Sequence, residues 1–355
     1  MALRSESAQL PSGSIEDSGP AFRAFVIFLI TITILSTTLR FWSRSLTTPP
    51  LNRSRFWWDD WFAAAAMATS LVELSLVLRV VDLGFGQHIW AIPPSNLSNL
   101  LKALFPAEIL LYVALVLAKT SALLFFGRVF QRYTNPRWFN IALWISHGLN
   151  SAWFLGLVLG LILLCNPVAK NWEPTLPGTC GKTSDLYLGN AISSVIIDVL
   201  ILLLPVPMIW GVQASSARKV AITAVFILGY SSVIVTIGRL VTAIHAGKSV
   251  NGDFTYEGIP HYYWVVAEAP IMIVSISLPA MLPLARHIGQ HYFQPLASSL
   301  SILLGAKFST SDQSNDTNDS RSQPTTLNRT YLQLDKDTKS GLKRGGSYVD
   351  RVPDV

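Results

Sequence analysis

AFRAFVIFLITITILSTTLRFW, residues 21–42, is a run of mostly apolar side chains long enough to cross a bilayer as one helix. At about 1.5 Å of rise per residue, some 20 residues traverse the ~30 Å hydrocarbon core. Runs of comparable length recur at 58–80, 104–126, 138–164, 187–210, 220–244 and 262–284. The sequence therefore predicts an all-α membrane protein, a bundle of seven transmembrane helices. In the second run, small side chains at Ala63–Ala66 predict close helix contact.

Composition agrees. Half of the residues are hydrophobic (50%), only 14% are charged and the mean hydropathy is +0.41, whereas soluble domains carry roughly 25% charged residues. The net charge of +6 does not point to nucleic acid, because the Lys and Arg fall in a subset of loops and in the tail. The expected partner is the lipid bilayer. Two cysteines, Cys165 and Cys180, exclude a disulfide-dense module and a four-cysteine zinc site. Nothing in the sequence calls for a metal or a cofactor. Residues 1–20 are polar and hold Pro11, Gly13, Gly19 and Pro20, unlike a signal peptide, so the first run is expected to be retained.

Loop charge sets the direction. Arg44, Arg53 and Arg55 follow the first run, Arg128, Arg132 and Arg137 the third, and Arg218 and Lys219 the fifth; Arg286 and His287 open the tail. The other connections carry few basic residues, offset by Glu173, Asp185, Asp253 and Glu257. The positive-inside rule places the N-terminus outside and the C-terminus in the cytosol. A disulfide between Cys165 and Cys180 and a glycan at Asn96, in the sequon Asn96-Leu97-Ser98, would both fall on the outer side, where each can form. The sequons at Asn52, Asn315, Asn318 and Asn328 fall inside and are expected to go unused. The expected organisation is a short extracellular N-terminus (1–20), the seven-helix domain (21–285), an interfacial segment (286–308) with Tyr292, Phe293, Leu296, Leu300 and Leu303 toward lipid, and a polar, disordered cytosolic tail (309–355).

Ionisable side chains inside a membrane cost roughly 2.5–3.5 kcal/mol each and call for a partner or a wet cavity. Six stand out within the runs: Glu73, Glu108, Lys119, Asp198, Arg239 and Glu268. Helical spacing puts Glu108, Tyr112 and Lys119 on one stripe; Tyr187, Asn190, Ser194 and Asp198 on a second; Ser232, Thr236 and Arg239 on a third; and Glu268, Met272 and Ser275 on a fourth. These stripes should face the bundle interior. Glu73, Glu108, Arg239 and Glu268, with Tyr112 and Trp264, are the candidate ligand site, an outward-facing polar cavity; internal ion pairing that fixes helix packing is the competing explanation. Lys119 and Asp198 are expected to form a structural or switching pair. A retinal Schiff base on the seventh helix is excluded, since that run has no lysine. Asp59 and Asp60, among Trp57, Trp58 and Trp61, are explained as interfacial anchoring and N-terminal charge on a helix. Pro270, Pro279 and Pro283 should free backbone carbonyls that neighbouring helices must satisfy.

Several motifs resemble, in order and spacing, the fungal rhodopsin-domain family of seven-helix proteins, the Pth-type receptors. They are Trp58-Asp59-Asp60-Trp61, Gly84-Phe85-Gly86-Gln87-His88-Ile89-Trp90, KTSALLFFGR at 119–128, residues 167–172 with Glu173, DVLILLLPVP at 198–207, and Trp264, Glu268 and Pro279 in the last run. The resemblance covers residues 21–286 and implies a receptor-like membrane protein, some relatives of which accompany secondary-metabolite pathways. The chain departs from G-protein-coupled receptors in lacking an Asp-Arg-Tyr triplet after the third run and Asn-Pro-x-x-Tyr on the seventh. The leading expectation is a sensor of an unknown extracellular small molecule, with a cytosolic signalling partner, in the plasma membrane. An acid-catalysed isomerase or cyclase using Glu108 or Glu268, and a small-solute transporter, are the alternatives.

Overall fold

The computed structural model describes residues 17–46, 56–130, 137–207, 216–249 and 253–288. Seven long helices run through them: α1 (Gly19–Leu46), α2 (Trp58–Asp82), α3 (Pro94–Phe130), α4 (Arg137–Ile162), α5 (Thr183–Leu203), α6 (Ser216–Ser249) and α7 (Ile259–Ile288). Among the described residues, six helices are long and apolar enough to cross a membrane. The protein is an all-α membrane protein. The interfacial segment and the tail lie outside the described residues, apart from the last turn of α7.

Large apolar side chains that would be buried in a soluble protein cover the outside of this bundle: Ile27, Phe28, Trp144, Ile145, Leu155 and Leu159 are exposed. Lipid, the solvent there, offers no hydrophobic drive between helices, so close packing and hydrogen bonds hold the bundle. The most extensive packing joins α2 to α3, where Ala63, Ala66 and Ala118 are fully buried and let the backbones approach. Leu111, Leu115, Leu123, Phe139, Trp153, Leu157 and Ile197 pack α3, α4 and α5 together. Phe22, Val26, Leu74, Val77, Val80 and Val266 pack α1 and α2 against α7. Helix α4 packs chiefly on α3 and α5 and lies at the periphery.

Helix α3 starts ten residues earlier than the predicted span. Proline at a helix start forfeits no hydrogen bond, and the Asn96 and Leu97 N–H groups both donate to the Pro93 carbonyl. Asn96 therefore lies in the first turn of α3 and not in a free loop. The described part of α5 ends at Leu203, just before Pro205, which lacks the N–H that would extend it.

The connections beside α2–α3, α4–α5 and α6–α7 gather at one end. Cys165 and Cys180 are disulfide-bonded and pair β1 (Cys165–Asn166) antiparallel to β2 (Thr179–Cys180). Lys102 of α3 holds this loop through Glu173 at 2.8 Å. The α2–α3 connection is clamped twice: Ser18 N–H donates to the Gly86 carbonyl at 3.2 Å, and Gly86 N–H to the Thr255 carbonyl at 3.1 Å. Gly86 has φ +105°, and a Cβ there would lie 2.6 Å from the Gly19 nitrogen. Gly86→Ala is expected to detach this clamp, read as faster amide exchange across residues 84–92 and 253–257 with exchange at mid-helix unchanged.

Candidate functional site

Every predicted polar stripe faces the interior, and the partners join in tiers. Nearest the disulfide end, the Tyr187 hydroxyl donates to Glu108 Oε1 at 2.5 Å. One turn deeper, Asn190 Nδ2 donates to the Tyr112 hydroxyl at 3.1 Å.

The next tier joins four helices. Lys119 Nζ lies 3.0 Å from Asp198 Oδ1 and donates to Ser194 Oγ at 3.0 Å; both side chains are buried. The Thr236 hydroxyl donates to Asp198 Oδ2 at 2.8 Å. Ser194 Oγ also reaches Glu268 Oε1 at 3.4 Å, and Glu268 Oε2 lies 2.9 Å from Arg239 Nε. The Lys119 ammonium also sits over the Trp153 ring, 4.7 Å from its centroid. Two basic and two acidic side chains thus meet inside one buried chain, with Ser194 as the bridge. Burying charge costs several kcal/mol per ion unless each is matched, which is why these residues occupy facing positions.

Trp264 packs flat on α6: a Cβ on Gly238 would lie 2.6 Å from its ring. The indole thereby flanks the Arg239–Glu268 pair. Glu73 stands apart. It is only 2% exposed, and its Oε2 finds no hydrogen-bond partner.

Toward the other end, a small cavity of about 70 Å³ opens beside Lys119 and Asp198, between Phe126, Pro205, Met272 and Pro279. It has room for a few waters, well short of the ~300–1,000 Å³ of a typical ligand pocket.

The far end carries a network that the sequence indicated only in part. Arg40, fully buried, donates from Nε to Asp60 at 2.9 Å and from Nη2 to Asp59 at 2.9 Å. Arg44 and Arg128 approach the same carboxylates at 3.3 Å and 3.1 Å. The capping expected of Asp60 is present, since its Oδ2 accepts the Trp57 N–H at 3.3 Å, but both aspartates chiefly join α1, α2 and α3. Arg40 Nη1 also donates to the Ile276 carbonyl at 2.6 Å, and Ser43 Oγ to the Ala280 carbonyl at 2.8 Å. Both bonds tie α1 to the backbone of α7 in the stretch that holds Pro279 and Pro283; the carbonyls these prolines free by lacking an N–H are those four residues earlier, of Ser275 and Pro279. Arg40 escaped notice because it lies inside an apolar run; a lone charge within a span was the available signal.

Outside the spans, Asp253 Oδ2 lies 2.6 Å from His88 Nδ1 and its Oδ1 accepts the Ile89 N–H at 3.0 Å. Burial by itself would raise the Asp253 pKa; the hydrogen bonds from His88, Ile89 and Thr255 outweigh it and hold the carboxyl below its usual range.

With the bundle and its buried charges in place, residues 39–287 match the fungal rhodopsin domain. The chain belongs to the fungal rhodopsin domain family. This fungal rhodopsin-domain protein is 23% identical over 291 residues to a polyenoic acids biosynthesis gene cluster protein, Ba17b, of Metarhizium anisopliae, covering 78% of this chain and 77% of the relative. It is 28% identical over 207 residues to a SAT4 family membrane protein of Emericella nidulans (58% and 51% covered). It is 25% identical over 134 residues to fugralins biosynthesis cluster protein 2 of Gibberella zeae (38% and 33% covered). The WDDW motif, the buried Lys119 and Asp198, and Arg239 with Glu268 all lie inside the matched stretch of this rhodopsin-domain chain.

Proposed function

We propose that this rhodopsin-domain protein is a receptor-like sensor: seven spans, the N-terminus outside, and a small extracellular molecule as its signal. The observation that carries this reading is Ser194, whose hydroxyl touches both Lys119 at 3.0 Å and Glu268 at 3.4 Å. One hydroxyl separates two buried ion pairs contributed by α3, α5, α6 and α7, so a modest helix shift exchanges partners. Such a chain supplies two discrete packings, and a ligand with unequal affinity for them shifts their balance. The ligand enters from the disulfide end and meets Glu108, Tyr112, Trp264 and the unpaired Glu73 before Arg239 and Glu268. The disulfide and the loop charges support this orientation; the plasma membrane is the expected site, with a signalling partner on the cytosolic face.

Two of the relatives are named as biosynthesis cluster proteins, which supports a place beside secondary metabolism and a signal of metabolite chemistry. The test screens lipophilic fungal metabolites against purified protein by thermal shift. A binder is expected to raise the melting midpoint of the wild type and to lose that effect in Arg239→Gln and Glu268→Gln. An identical shift in both variants sinks the site assignment, and conversion of a metabolite to product replaces sensing with catalysis.

A further inference from the structure

Two connections at the disulfide end meet at one histidine. His88, in the α2–α3 connection, sets its Nδ1 2.6 Å from Asp253 Oδ2 in the α6–α7 connection. Asp253 Oδ1 accepts the Ile89 N–H at 3.0 Å and the Thr255 hydroxyl at 3.2 Å, so the carboxylate faces the ring from a fixed seat. Trp90 stacks on the same ring with centroids 4.4 Å apart, and Tyr256 packs against it at 4.2 Å. The His88 side chain is 25% exposed and lies outside the spans, where solvent protons reach it.

We propose that protonation of His88 closes a latch between these two connections, tying the ends of α2 and α3 to α7 in mild acid and releasing them as the pH rises. An imidazole ordinarily changes charge between about pH 5 and 8. As an imidazolium it adds a Coulombic attraction to the Asp253 carboxylate and a cation–π contact with Trp90, neither of which a neutral ring supplies. Asp253 stays ionised over that range: burial works to raise its pKa, but the hydrogen bonds from His88, Ile89 and Thr255 outweigh burial and hold it below the usual range. The latch is therefore tightest at about pH 5–6, loosens as His88 loses its proton, and loosens again only in stronger acid, as Asp253 gains one. The other ionisable groups on the neighbouring elements are engaged elsewhere or exposed. Asp17 accepts from Gln87 at 3.3 Å, Arg23 of α1 pairs with Asp82 of α2, and His261 of α7 meets Thr242 of α6 at 3.0 Å. Tyr262 of α7 packs edge-on against Phe85, and Glu257 is exposed. Beyond Ile92 the chain enters α3, which carries Glu108 and Lys119; beyond Gly258 it enters α7, which carries Glu268. The latch thus acts on helices that share the polar chain. That it reads extracellular pH rests on the orientation proposed above; its response to pH does not.

The test is hydrogen exchange, read by mass spectrometry, on full-length protein in nanodiscs at about pH 5.5, 6.5 and 8, with rates corrected for the intrinsic pH dependence of exchange. Protection across residues 84–92 and 253–257 is expected to fall about fivefold from the lowest to the highest pH, the worth of one favourable ion pair near a surface. Mid-helix protection stays constant. His88→Gln keeps a donor for Asp253 but does not titrate, and flattens the profile. Asp253→Asn flattens it as well and leaves protection low throughout. His261→Gln, at the neighbouring histidine, keeps the wild-type slope. A wild-type profile without slope overturns the proposal, as does a slope that persists in His88→Gln or disappears in His261→Gln. Ligand binding at Arg239 and Glu268 is not part of this readout, so the latch and the sensor stand or fall separately.

Discussion

Arg40→Ala lowers the stability of the purified protein by about 3 kcal/mol, the lower end of what removing one partner of a buried ion pair costs. Arg40 is the one cation bonded at 2.9 Å to both Asp59 and Asp60, and it also holds the Ile276 carbonyl. Its loss removes the shortest-held cation from two buried carboxylates and the α1 donor from the Ile276 carbonyl. Arg44 and Arg128 remain nearby and keep the loss from reaching the upper end of the range. Arg44→Ala serves as the comparison. Its bonds are longer, at 3.3 Å and 3.5 Å, and the side chain is partly exposed, so the expected cost is under about 1 kcal/mol. Melting midpoints in detergent and the yield of monodisperse protein distinguish the two. Equal losses would mean that the three arginines share the load and that Arg40 holds no special place.

Lys119→Met is expected to cost about 3–5 kcal/mol, because it strands Asp198 without its cation in a dry interior. Lys119→Met combined with Asp198→Leu should recover most of that loss, since an apolar pair of similar volume often replaces a buried ion pair at no net cost. The double variant then separates two roles. A stable protein that no longer answers to a ligand identifies the pair as the switching element. A double variant as unstable as the single one shows instead that Lys119 works mainly through Ser194 and the Trp153 ring.

Helix periodicity made the interior legible. Tyr187, Asn190, Ser194 and Asp198 share a stripe by spacing alone, and each of them meets a polar side chain of α3, of which only the Lys119–Asp198 pair was expected. Spacing says nothing about which charge faces which across a bundle. Glu73, Glu108, Arg239 and Glu268 were grouped by depth, yet only Arg239 and Glu268 are paired, while Glu108 takes Tyr187 and Glu73 takes no one. Helix rotation about its own axis decides that, and packing sets the rotation. Loop charge was similarly ambiguous. Arg44 and Arg128 served as cytosolic markers, and in the folded protein they also neutralise Asp59 and Asp60.

The sequence by itself determined that this is an all-α membrane protein, because 20-residue apolar runs admit few other structures in lipid, where each backbone group must be satisfied within its own segment. It also determined which face of α3, α5, α6 and α7 is polar and that Cys165 pairs with Cys180. The tertiary structure decided the rest: that Arg40 binds Asp59 and Asp60, that α1 side chains reach the Ile276 and Ala280 carbonyls of α7, and that α3 begins at Pro94. Those features depend on contacts between residues as many as 237 positions apart, which no local pattern encodes.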